Sequence, residues 1–251
     1  MILVRRRRMR VLAIGDSAAD IPADISGLHL VGGEVGSATP AVRPRDVDAV
    51  YLCGLDQARA RRLKAEFGAV WGVPCVTREE MTAVGLAGRL LVLLARVGRR
   101  AASARVVIVE STAIPTLCPL LLAVGIGDIV SWEPTDALSY PLRRITYHAD
   151  AVIDPVSGGV PIVEPSSQEG QPPLIAADDP AYPLLALPGL LRALQAKPGA
   201  TADFDVLRAC AYALAARTEN TRWLPDLNDP ELTPTVSRMV ARVLSGERSG
   251  R

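Results

Sequence analysis

The chain has 251 residues, 49% of them hydrophobic, with 28 basic against 27 acidic residues and a formal net charge of +1. That balance excludes general disorder and gives no electrostatic reason to expect nucleic acid or another polyanion as a partner. The length suffices for two α/β lobes around real cores.

The cluster Arg5 to Arg8 reads as a solvated N-terminal tail. Met9 to Ile14 is too short for a secretory h-region and is closed by Gly15 and Asp16. The apolar stretch 86–98 is broken by Arg89 and Arg96, and 115–130 is short and carries prolines, so neither suits a bilayer. A soluble cytoplasmic protein with no membrane partner is expected. Cys53, Cys75, Cys118 and Cys210 lack CxxC or His spacing and read as free thiols, most of them buried.

In chain order, Met9 to Ile14 is a predicted strand, followed by a Pro- and Gly-containing stretch with little periodicity beyond Leu28 to Val31. Val47 to Cys53 is a second strand, and Asp56 to Phe67 a helix with Ala60, Leu63 and Phe67 on one face. "TREE" at Thr77 has the form of a capping box and opens a small-residue helix to about Val97. Arg105 to Val109, a tight turn, a helix from about Thr116 to Val124 and a strand from Asp128 to Trp132 follow. Further strands are predicted at Ala151 to Asp154, Val160 to Val163 and Leu174 to Ala177. Three helices close the chain: Pro188 to about Ala196, Thr201 to Arg217 with Thr201 as cap, and Thr233 to Leu244. Alternating strands and helices predict a doubly wound, mostly parallel, Rossmann-like α/β sheet. Residues 1–80 form a small N-terminal α/β lobe and 81–251 the Rossmann-like domain with C-terminal helices.

The stretch "VVIVESTAIPTLCPLLLAVGIGDIVSWE" has the order strand, turn, helix, strand, carboxylate that a dinucleotide unit uses. Its turn lacks the glycines that let backbone N–H groups approach a pyrophosphate, and Glu110 stands where phosphate oxygens would come.

The segments "LLALPGLLRAL", "ADFDVLRACAYALAA" and "WLPDLNDPELTPTVSRMVARV" resemble, in order, the end of malic enzymes. "PCVTREEMTAVGLAGRLLVLLARVGRR", "DVDAVYLCGLDQARARRL" and "RVLAIGDSAADIP" extend the likeness over roughly residues 10–245. The N-terminal part of that family's first domain has no counterpart. The resemblance implies oxidative decarboxylation of malate with NAD or NADP, a divalent metal, a Tyr acid and a Lys base.

The departures are specific. The position matching the Lys falls near Ile25, and the two lysines present, Lys64 and Lys197, lie on or after helices. The Tyr segment is missing. For the metal, Asp56 matches one family ligand beside Leu55, and Glu79 or Glu80 would have to supply the second carboxylate. That is a poor site for Mg²⁺ or Mn²⁺, so neither is expected. For the cofactor, Ser111, Thr112 and Ala113 replace the turn glycines, Glu133 matches the ribose acid, and Val156 and Ser157 match the turn under the adenosine. The paired Asn of the family falls at Tyr182 and Pro183.

A scaffold kept with its site abandoned or rebuilt is the leading expectation, with a small-molecule crevice around Ser111, Thr112, Glu133 and Ser157. Two alternatives stay open. One is an NAD(P)-dependent oxidoreductase acting on another acid, with Tyr182 or His148 as proton donor. The other is a non-catalytic regulator, for instance a homodimer built on the small-residue helix at 81–98. His148 with Tyr147 and Asp150 offers a proton-transfer cluster, though a partly buried structural His is the simpler reading. Asp16, Glu110, Asp154 and Asp178 are expected as solvated acids at strand ends.

Overall fold

The computed structural model describes residues 8–16, 21–33, 46–156, 172–177 and 180–246. The strand expected at Val160 to Val163 lies outside these residues, as do Ser157 and Asp178.

The N-terminal sheet begins with β1 (Met9–Ile14), β2 (Asp24–Ile25), β3 (Leu28–Gly33) and β4 (Ala49–Leu52). Helix α1 (Gln57–Trp71) then crosses over to β5 (Cys75–Thr77). The spatial order is β2-β3-β1-β4-β5, parallel except for β2. Two residues of β2 and six of β3 form in a region with little sequence periodicity, because β3 gains its pairing from β1. Asp56 caps α1 by accepting from Arg59 N at 2.9 Å. The helix outruns its expected end at Phe67: Phe67 and Trp71 pack ring to ring at 4.5 Å, and Gly72, at φ 62°, terminates it. Together with Ala60 and Leu63 these rings cover the outer face of the sheet over Ile14, Val50 and Leu52.

Helix α2 (Arg78–Arg96) starts on the predicted capping box, with Glu80 N donating to Thr77 Oγ1 and Thr77 N to Glu80 Oε2. Beyond it come β6 (Arg105–Val109), α3 (Leu117–Val124), β7 (Asp128–Trp132), α4 (Leu142–Thr146), β8 (Ala151–Asp154) and β9 (Leu174–Ala176). These strands form a second, wholly parallel sheet in the order β7-β6-β8-β9. The short α4, which has no clear sequence signature, covers its outer face through Leu142 and Ile145. The chain ends in α5 (Tyr182–Leu185), α6 (Leu187–Gln195), α7 (Phe204–Arg217) and α8 (Leu232–Leu244). Asp203, not Thr201, caps α7, accepting from Val206 N at 2.9 Å. The segment around Tyr182 is helical rather than a simple turn.

The inner faces of both sheets share one core, in which Val11, Tyr51 and Val76 of the first and Val106, Ile108 and Ile153 of the second join the helices. Helix α2 sits inside it, buried at Met81, Ala83 through Gly88 and Leu90. A Cβ on Gly85 would stand 3.0 Å from Tyr182 Cβ, and one on Gly88 3.1 Å from Leu214 Cβ. The small residues therefore serve packing within the chain, and the expectation of an oligomer interface on this helix is overturned by its burial. No helix among the described residues is long and apolar enough to cross a membrane.

Gly85→Leu is expected to destabilise the fold by at least about 2 kcal/mol through overpacking against Tyr182. Thermal denaturation measures the loss, and size-exclusion mass measurement on the folded fraction should read no change in oligomeric state.

Candidate functional site

Each sheet reverses its winding direction beside its first strand, between β1 and β4 in one and between β6 and β8 in the other. Open α/β sheets place ligands at the carboxyl ends of strands at such points. The carboxyl ends of the two sheets meet at a cleft of about 270 Å³. Gly54 and Leu55 after β4 and Arg78, Glu79 and Thr82 at the start of α2 form one wall. Ala113 and Ile114 after β6, Pro155 after β8, Ala177 after β9 and Tyr182 form the other.

The turn after β6 is closed by its own hydrogen bonds. Glu110, at φ 49° one of two non-glycine residues with positive φ among those described, donates its N–H to Trp132 O at 2.9 Å. Ala113 N donates to Glu110 O at 2.9 Å, completing a single 3₁₀ turn over Ser111–Ala113. Ser111 Oγ donates to Glu133 Oε1 at 3.0 Å, so the hydroxyl expected at a phosphate and the acid expected at a ribose hold each other. The Gln57 side-chain amide donates to Thr112 O at 3.0 Å and Ala113 O at 3.4 Å, tying the turn to α1 across the cleft. Val156 is 45% exposed and donates its N–H to Asp154 Oδ1 at 3.0 Å. Asp154 itself is buried, contrary to the expectation of a solvated acid.

The two expected metal carboxylates also have protein partners. Asp56 caps α1. Glu79 Oε1 accepts from Thr116 N at 3.1 Å and Thr116 Oγ1 at 2.7 Å, so an acid from the first sheet's edge holds the residue at the entrance to α3 in the second. No group of three or more His, Cys, Asp or Glu side chains among the described residues could hold a metal ion. Lys64 pairs with Glu80, the capping-box acid, and Lys197 donates to Leu244 O. Neither lysine lines the cleft.

Tyr182 lies between this cleft and a wider one of about 670 Å³ lined also by Arg89, Trp223 and Leu224. Arg89 donates to Tyr182 Oη and, at 3.3 Å, to Ala176 O, joining α2 to β9 and α5. The Tyr147, His148 and Asp150 cluster is not assembled. His148 is exposed with its ring 4.6 Å from that of Tyr147, whereas Asp150 accepts from Arg105 N at 2.8 Å and pairs with Arg99 Nε at 3.1 Å. Burial pushes the thiols of Cys75 and Cys210 up to about 12, so both are inert as nucleophiles.

Gln57, Arg78 and Thr116 escaped the sequence reading. Arg78 left one signal: a cation in the first helical turn opposes the helix dipole and is a local conflict of the kind functional positions carry. Gln57 and Thr116 left none, since their partners are 55 and 37 residues away.

No family model and no curated protein matches the sequence. Solved structures do. The NAD-dependent malic enzyme of Thermotoga maritima is 14% identical with a TM-score of 0.73, covering 94% of this chain and 84% of that one. The Entamoeba histolytica malic enzyme is 14% identical at TM-score 0.71, over 96% of this chain and 70% of its own. The malic enzyme of Pyrococcus horikoshii is 13% identical at TM-score 0.70, over 96% and 77%. At these identities the likeness is one of architecture: the chain has a malic-enzyme-like fold.

Proposed function

We propose that this chain is a divergent malic-enzyme-like protein that has lost NAD(P)-dependent oxidative decarboxylation of malate and keeps a remodelled small-molecule cleft between its two sheets. The observation that carries the reading is the pairing of Ser111 with Glu133 in a turn whose Glu110 and Ala113 N–H groups are already spent. A pyrophosphate needs unspent N–H groups and backbone approach. Here two carboxylates and the side chains of Ser111 and Thr112 occupy that end of β6, and like charge disfavours phosphate.

The same holds for a divalent cation, since Asp56 and Glu79 accept backbone or hydroxyl hydrogen bonds instead of converging as a ligand set. No lysine lines the cleft to handle a proton. Tyr182, buried and hydrogen-bonded to Arg89, stands in the cleft wall as a positioned hydroxyl.

Isothermal titration with NAD⁺, NADH, NADP⁺ and NADPH, with and without Mn²⁺, is expected to read no micromolar binding, and a malate assay no turnover. NAD(P)⁺-dependent consumption of malate would overturn the reading.

Glu79→Ala should cost about 1–3 kcal/mol of stability by stripping Thr116 of its acceptor. The loss measured by urea denaturation should be the same with a chelator present, because it reports a contact within the protein. A loss seen only with Mn²⁺ present would restore Glu79 as a metal ligand.

A second reading is favoured by the position of Tyr182 and by the retained acid after β7. It is an oxidoreductase of altered cofactor geometry acting on another organic acid. On that reading Glu133→Ala weakens cofactor binding by about ten-fold or more; on the first there is no cofactor affinity to lose.

A further inference from the structure

We infer that the cleft between the sheets binds a small molecule through an oxyanion, a carboxylate or a phosphate group, held by the guanidinium of Arg78. The inference rests on the proposed reading of the cleft as a small-molecule site and names the chemistry of its occupant.

Arg78 is half-buried in the cleft wall and makes no hydrogen bond or ion pair among the described residues. Its guanidinium is therefore free to take an anion that enters the cleft from solution, with hydrogen bonds strengthened by its charge. The nearby acids form no ion pair with it. Glu79 is bonded to Thr116, Glu80 to Thr77 N and Lys64, and Asp56 to Arg59 N.

Helix stability does not account for the arginine either. At the first position of α2 a cation faces the positive end of the helix dipole. The capping box meanwhile turns Glu80 back onto Thr77 and leaves the Arg78 side chain to the cleft.

A second orphan lies within its field. Tyr51, on β4, is fully buried and its hydroxyl has no hydrogen-bond partner. Burial raises the Tyr51 phenol above its ordinary range, and the charge of Arg78 opposes that shift. Packing among the described residues thus leaves a buried hydroxyl unsatisfied within the field of this cation.

The rest of the wall limits what enters. Thr82 adds a hydroxyl, while Ile114, Pro155 and Pro183 are apolar. The volume, about 270 Å³, falls just below the roughly 300–1,000 Å³ of ligand pockets and suits a compact organic anion better than a dinucleotide. The planar fork of an arginine matches the two oxygens of a carboxylate or phosphate.

The test is a titration of the purified full chain in low-chloride buffer, without metal or cofactor. Inorganic phosphate forms one arm, and acetate, oxalate and succinate the other. Binding is followed by calorimetry and by the ¹⁵N resonance of Arg78 Nε. Saturable binding in at least one arm is expected, and the arm that saturates identifies the group recognised. Arg78→Met should weaken that binding at least about ten-fold and Arg78→Lys by less, since Lys keeps the charge and loses the fork. Should the Met variant fail to fold, the Lys variant and the Arg78 resonance decide the matter. No saturable binding in either arm, or equal affinity in wild type and the folded variants, overturns the proposal. Neither result bears on the loss of malate oxidation, which only NAD(P)⁺-dependent turnover overturns.

Discussion

The rest of the molecule depends on the burial of α2 in the core that the two sheets and the C-terminal helices share. A helix enclosed on several sides must let its neighbours approach closely, and Gly85 and Gly88 provide that clearance against Tyr182 and Leu214. Enclosure also fixes where the helix begins. The capping box sets the first turn at Thr77, so Arg78 and Glu79 emerge at the carboxyl edge of the first sheet, facing the carboxyl edge of the second. The cleft follows from this arrangement, because its first wall is the start of α2 and its second is made of the loops after β6, β8 and β9.

Two polar contacts hold the walls together, and both use groups that a ligand would otherwise claim. Gln57, from the first turn of α1, takes the carbonyls of Thr112 and Ala113, and Glu79 takes the N–H and hydroxyl of Thr116. Each satisfies polar atoms at the edge of the second sheet from an element of the first. The turn they brace carries Glu110 in the left-handed region, where a residue with a side chain costs on the order of 1 kcal/mol or more. That conformation persists because Glu110 bonds at both ends, to Trp132 O through its N–H and to Ala113 N through its carbonyl. The outcome is a turn satisfied from within, opposite an arginine that is not.

Much of the architecture was legible in the chain. The strands at Met9–Ile14, Arg105–Val109, Asp128–Trp132 and Ala151–Asp154 are apolar runs ended by Gly, Glu or Pro, and they fold as predicted. The capping box at Thr77 is legible because both of its bonds span three residues. The resemblance to malic enzymes, carried by separated motifs in the right order, agrees with the structural likeness. Less legible were β3, which depends on pairing with β1, and α4, which depends on the apolar outer face of the second sheet. The cap of α7 was not legible at Thr201, because Thr and Asp both cap well and only the path of the chain selects Asp203.

By itself the sequence determined the alternation of strands and helices, the place of the principal strands, and the absence of glycines and of a lysine where a malic enzyme site would need them. These are local properties of composition and spacing. Only the tertiary structure decided which polar groups meet: that Ser111 reaches Glu133, that Glu79 reaches Thr116, and that Arg78 reaches no partner among the described residues. Hydrogen-bond satisfaction is a short-range matter in space and an unrestricted one along the chain. No reading of residues one window at a time can tell which side chains a fold has already paired and which it leaves for a ligand.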